Sequence, residues 1–149
     1  MPRSDGRRIS SLSPFVKMMP YIMERRSDAM IYHHQTLRVD KIDAYIHAKR
    51  EAGVKMNYMH VFIAVFVRVL AQRPQINRFV MNGRYYARNH ISISMAIKRS
   101  LHDDGEETTV KFMFTGRESL FEVAELVDQV IQENLASGSE NETDRLASA

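Results

Sequence analysis

From Val61 to Leu70 the chain is apolar at every position except Arg68. The run is longer than a typical strand and too short to span a bilayer. His60, Arg68 and Gln72 stand four or eight apart and form, with Ala64, one narrow stripe on a helix. Every other face carries Val, Phe, Ile, Leu or Met. That pattern predicts a helix enclosed in a core, with Phe62, Val65, Phe66 and Val69 almost wholly buried. Asn57 is placed to cap its start. Pro74 is placed to end it, because the residue before a proline is driven out of helical geometry.

The remaining pattern predicts the other elements. Ser13-Pro14 is a helix-start pair, with serine as cap and proline in the first turn. Pro20 should interrupt that helix, leaving one turn before it and a short helix over 21–26. Residues 29–39 read as a strand, with Met30, Tyr32, His34, Thr36 and Arg38 on one face and Ile31, His33, Gln35, Leu37 and Val39 on the other. Neither face is cleanly apolar, so one is expected to line a cleft or a subunit boundary. Asp40 is placed to cap a helix over 41–52 with an apolar stripe of Ile42, Tyr45 and Ile46, and Gly53 terminates it.

Asn82-Gly83, between strands at 78–81 and 84–87, marks a tight two-residue hairpin. Residues 90–98 alternate strictly, with Ile91, Ile93, Met95 and Ile97 against Ser92, Ser94 and Ala96. The second set is small rather than charged, which predicts a partner packed closely on that side too. An acidic turn over 101–107 leads to a returning strand at 108–115. An amphipathic helix over 117–135 then carries Leu120, Val123, Leu126, Val127, Val130 and Ile131 on one face. The expected organisation is a flexible basic lead over 1–12, one domain over 13–135 and a polar linker or disordered tail over 136–149.

Composition narrows the function classes. The 149 residues include no cysteine, which removes disulfides, thiolate nucleophiles and thiolate metal sites together. The six histidines show no metal spacing; His33 and His34 are adjacent and would point to opposite faces of a strand. No window is long enough to span a membrane, and the N-terminus lacks the apolar run of a signal peptide, so a cytoplasmic protein is expected. The net charge is +3 but unevenly placed: Arg3, Arg7, Arg8, Lys17, Arg25 and Arg26 face only Asp5 and Glu24 near the N-terminus. Few aromatics accompany these cations and no nucleic-acid motif is present, so a solvated basic end is expected rather than a nucleic-acid partner.

The order helix, strand, helix, buried helix, hairpin, strand, strand, helix is a two-layer α/β (α+β sandwich) pattern. The run YMHVFIAVFVRVLAQRPQINRFVMNGRYYARNHISISMAIK resembles the N-terminal half of the chloramphenicol acetyltransferase-like fold. It is closest to the acyltransferase (catalytic) domain of 2-oxo acid dehydrogenase complexes. That family has an apolar helix ending near a proline and an asparagine, as Pro74 and Asn77 do here, followed by a short hairpin and a strand like that of Ile91 and Ile97. The earlier AMIYHHQTLRVDKIDAYI is similar to the family's first strand, which runs into an aspartate and a helix.

The resemblance implies an activity: acyl transfer between coenzyme A and an acceptor, at sites formed between the subunits of a trimer. A histidine in an H-x-x-x-D-G motif takes the proton from the coenzyme A thiol or the acceptor hydroxyl, and a hydroxyl or amide donor steadies the oxyanion. No such motif occurs in this sequence. The nearest string, His102-Asp103-Asp104-Gly105, has the wrong spacing and reads as turn chemistry. The chain is therefore expected to be the first half of the fold and inactive alone, with no catalytic residue, no metal and no bound cofactor of its own. Coenzyme A enters as the acyl-carrying substrate. Self-association, trimer-like, or pairing with a complementary C-terminal half is expected.

Tyr32 and His34 lie on the strand face that lines the acceptor pocket in related folds and are the expected substrate-binding residues; a subunit contact would use the same pair. His60 reads as a hydrogen-bonded core histidine. Arg68 and Arg73 could meet a coenzyme A phosphate or simply partner a helix C-terminus. The alternative to a half acyltransferase is a non-catalytic binding or assembly module built on the same half-fold.

Overall fold

The computed structural model describes residues 3–98 and 107–137. Among these residues, four helices and two small antiparallel sheets make a mixed α+β structure. Contacts divide the chain into two compact units, Met1–Lys55 with Gln72–His90 and Met56–Ala71 with Ile91–Ala149, where length alone predicts one domain.

In the first unit, β1 (Gly6–Arg8), β2 (Arg78–Met81) and β3 (Arg84–Arg88) form a three-stranded sheet in the order β1-β3-β2. The lead expected to be flexible thus contains a strand, with Gly6, Arg7 and Arg8 opposite Arg88, Ala87 and Tyr86. Gly6 makes this pairing possible: a Cβ there would stand 2.8 Å from both the Ala87 carbonyl oxygen and the Phe79 ring. Between β2 and β3 the chain turns at Asn82 and Gly83, both at positive φ (49° and 67°), the tight hairpin expected of this dipeptide.

Helix α1 (Pro14–Ile22) starts as expected, with the Val16 N–H donating to Ser13 Oγ. It does not break at Pro20. Proline removes a single hydrogen bond, and the Met23 N–H donating to the Met19 carbonyl (2.8 Å) closes the last turn. A 3-10 turn, Arg26–Ala29, comes next.

Residues 30–39 are irregular rather than a strand, and no strand among the described residues pairs with them. With no apolar face to bury and no neighbour to take its N–H and C=O groups, the segment lacks what a strand needs. Helix α2 (Asp40–Glu51) begins with Val39 rather than Asp40 as the capping residue, and Asp40 pairs instead with Arg38 (2.9 Å). It ends at Gly53, φ 78°, whose N–H donates to the Arg50 carbonyl. Ile46 is its buried residue.

The second unit holds the larger core. Strands β4 (Ile91–Lys98) and β5 (Glu107–Phe114) pair so that Ile91, Ile93, Met95 and Ile97 stand opposite Phe114, Phe112, Val110 and Thr108 on one face. Helices α3 (Tyr58–Gln72) and α4 (Leu120–Ser137) supply the rest: Ile63 and Val67 from α3, Val123 and Val127 from α4, packed with Ile91, Val110, Phe112 and Phe114. The helical stripe expected on α4 is the buried one. The opposite face of β4 has no close partner among the described residues: Ser94 and Ala96 are exposed. The expected acidic turn falls mostly on residues 99–106 and the tail on residues 138–149; both lie outside the described residues.

Candidate functional site

Helix α3 is anchored at its start by Asn57, whose Oδ1 accepts from the His60 N–H at 3.0 Å. The helix then sorts its side chains unlike the expectation. His60, Ile63 and Val67 are the buried residues. Phe62, Val65, Phe66 and Val69, expected in the core, are 41%, 50%, 58% and 41% exposed. Their spacing of three and four residues makes them one continuous apolar stripe along the outside of the helix. Tyr58 extends it, its ring stacked 6.3 Å from that of Phe62. Periodicity could not choose this face, because α3 is apolar on nearly every side.

Beside the stripe lies a shallow groove of about 280 Å³, with Val61, Ala64, Val65, Arg68, Glu118 and Leu120 among its lining residues. Glu118 is built into the turn before α4. Its carboxylate accepts from the Thr115 N–H (2.7 Å), the Thr115 hydroxyl (2.8 Å) and the Gly116 N–H (2.8 Å). Burial disfavours its charged form, but these hydrogen bonds outweigh burial and lower its pKa to about 2. Ser119 and Glu122 close the helix start reciprocally: the Glu122 N–H donates to Ser119 Oγ and the Ser119 N–H to Glu122 Oε2. This capping shifts the start of α4 from the expected residue 117 to Leu120. Glu118 is thus a turn-building carboxylate at the edge of the groove.

His60 is completely buried, and its Nε2 lies 3.2 Å from Oδ1 of Asp128 on α4. A carboxylate oxygen accepts, so Nε2 carries the hydrogen of this bond. Nδ1 is itself buried and finds no hydrogen-bond partner among the described residues. A general base must reach the proton it removes. An imidazole enclosed on one side and bonded to a carboxylate on the other is a tie between α3 and α4. Asp128 was the unseen half of this pair; its only signal in the sequence is a carboxylate set next to Val127 in the apolar stripe of α4.

The expected substrate-binding pair, Tyr32 and His34, sits on the irregular segment 30–39. Both are exposed, Tyr32 at 86%, and the Tyr32 hydroxyl makes only a long contact to the Met30 sulfur (4.0 Å). Neither residue lines the groove beside α3. His102 and its Asp-Asp-Gly neighbours lie outside the described residues. Arg68 reaches the groove, while Arg73 is exposed in the turn after α3. No helix among the described residues is long and apolar enough to cross a membrane. No protein-family model, curated protein or solved structure matches this chain.

Proposed function

We propose that this chain is one half of an acyltransferase of the 2-oxo acid dehydrogenase kind, with a chloramphenicol acetyltransferase-like fold. It moves an acyl group between coenzyme A and an acceptor once a complementary segment supplies the general base. The observation that carries this reading is the exposed stripe of Phe62, Val65, Phe66 and Val69 on α3. A helix of this composition is an interior element, and its uncovered face is a surface for further chain to pack against. The open face of β4 and the unpaired segment 30–39 support the same reading, since each offers a place for added strands or side chains.

The division of labour comes from the chemistry. The base takes the proton from the coenzyme A thiol or the acceptor hydroxyl as sulfur or oxygen attacks the acyl carbonyl. His60 is committed to Asp128, and the chain has no H-x-x-x-D-G. The base therefore comes from the complementary segment. Tyr32 and His34 line the acceptor pocket when segment 30–39 is paired.

The test is acetyl transfer from acetyl-coenzyme A to dihydrolipoamide by the chain alone and mixed with a separately expressed segment bearing H-x-x-x-D-G. Activity is expected only in the mixture and is abolished by changing the histidine of the added segment. Activity in the chain alone, lost on His34→Ala or His102→Ala, would put the base in this half. A stable complex without activity would favour a binding or assembly module.

A further inference from the structure

The first unit carries fifteen Arg and Lys against six Asp and Glu, a formal +9, while the second carries six against twelve, a formal −6. The sequence reads the basic N-terminal residues as a solvated end. Pairing of β1 with β3 changes that for Arg7 and Arg8, because it fixes them to a sheet whose other strands also carry arginine.

The register shows how they are arranged. Arg8 and Phe79 both stand opposite Tyr86, and Tyr86 alternates with Arg84 and Arg88 along β3, so all five side chains share one face. On that face the Phe79 and Tyr86 rings stack at 5.2 Å. The Arg88 guanidinium lies 4.8 Å from the Phe79 ring centre, and that of Arg3 lies 5.5 Å from Phe79 and 5.8 Å from Tyr86. Arg3 is neutralised by Asp5 at 2.7 Å. Arg8, Arg84 and Arg88 form no ion pair with another described residue, and all three are exposed.

Two hollows flank this face. One, of about 510 Å³, has Arg3, Arg7, Arg8, Arg84, Tyr86 and Asn89 among its lining residues. The other, of about 680 Å³, includes Arg25, Arg26, Arg78 and Arg88, with Glu24 as the only acidic residue in its lining.

Guanidiniums held side by side on a sheet repel one another and favour an anionic partner. Guanidinium forks match phosphate oxygens bidentately, and stacking on rings pre-orders them. The cations are spread over a face and two hollows rather than converging on one point, which suits an extended polyanion better than a single small anion. The faces of Phe79 and Tyr86 are occupied by arginine, so no open ring is offered for a base to stack on. We propose that this sheet binds nucleic acid through its phosphodiester backbone, without reading sequence.

The experiment is fluorescence anisotropy of the full chain with a labelled DNA duplex about 20 base pairs long and with one of its single strands, between about 50 and 200 mM salt. Binding is expected to both, falling steeply with salt. Replacing Arg8→Gln together with Arg84→Gln should weaken it about tenfold at low salt and reduce the salt slope by about 2. The pair Arg25→Gln with Arg26→Gln, on the second hollow, should weaken it in the same sense. Lys111→Gln on β5 should leave it unchanged, and thermal melts of all variants should match the parent because every altered side chain is exposed. No anisotropy change at the lowest salt would overturn the proposal. So would binding indifferent to both arginine pairs, or binding to phosphatidylserine vesicles with none to DNA.

Discussion

His60 Nε2 lies 3.2 Å from Asp128 Oδ1, so the histidine of the most apolar helix in the chain is engaged by a neighbouring helix. Its backbone N–H is engaged as well, by Asn57. The residue joins the cap of α3 to the middle of α4, and its role is to hold two core helices in register.

That role predicts an order of stability among variants. His60→Ala leaves a void in the core and removes the bond to Asp128, and should cost about 2–3 kcal/mol. Asp128→Ala orphans Nε2 of a buried imidazole and should cost about 1–3 kcal/mol, whereas Asp128→Asn keeps an acceptor and should cost less than about 1 kcal/mol. Urea unfolding of the three, with a double-mutant cycle, checks the order. Equal costs for Asp128→Ala and Asp128→Asn would mean that the hydrogen bond contributes nothing.

The sorting of α3 predicts a contrast between adjacent residues. Phe66 is 58% exposed and Val67 2% exposed. Phe66→Ala should change the stability of the chain by no more than about 0.5 kcal/mol, as surface substitutions do. Ile63→Ala, at a core position, should cost about 2–5 kcal/mol. Denaturant midpoints of the two variants decide it, and the reverse ranking would mean that α3 is rotated.

Glu118 predicts an acid-limb effect. Its pKa is lowered from 4.5 to about 2 in the folded chain, so it binds a proton more weakly folded than unfolded. The stability it contributes is fully present above pH 4.5 and is lost as pH falls from there toward 2. Glu118→Gln should therefore lower stability at neutral pH and flatten its decline across that window. A parallel acid limb in wild type and variant would contradict the assignment.

Gly6 predicts whether β1 belongs to the sheet. Gly6→Val would press a side chain against the Ala87 carbonyl and the Phe79 ring, and overpacking of this kind costs about 1–3 kcal/mol. Amide exchange at Ala87 and at Asn89, whose N–H donates to the Asp5 carbonyl, should accelerate in the variant. Unchanged protection there would leave β1 detached.

The parts legible in the sequence are those decided by local chemistry. Ser13-Pro14 starts α1, Asn57 caps α3, Asn82-Gly83 turns the hairpin, and the stripe on α4 faces the core. The parts not legible depend on what stands opposite. Three residues of β1 carry no strand pattern and exist because β3 accepts them. Segment 30–39 carries an alternating pattern but meets no partner strand among the described residues. On α3 an almost unbroken apolar circumference gives periodicity nothing to select, so the buried face is fixed by Asp128 and by the β4–β5 core. Arg8 is far in the chain from Arg84 and Arg88, and only the strand register places it on their face.

The proposed function requires the exposed stripe of Phe62, Val65, Phe66 and Val69 to be a contact surface. Sedimentation velocity of the 17.3 kDa chain at micromolar concentration tests it most directly. Species heavier than the monomer are expected, reduced to monomer by Phe62→Asp with Phe66→Asp. A well-behaved 17.3 kDa monomer, unchanged by those substitutions, would contradict it.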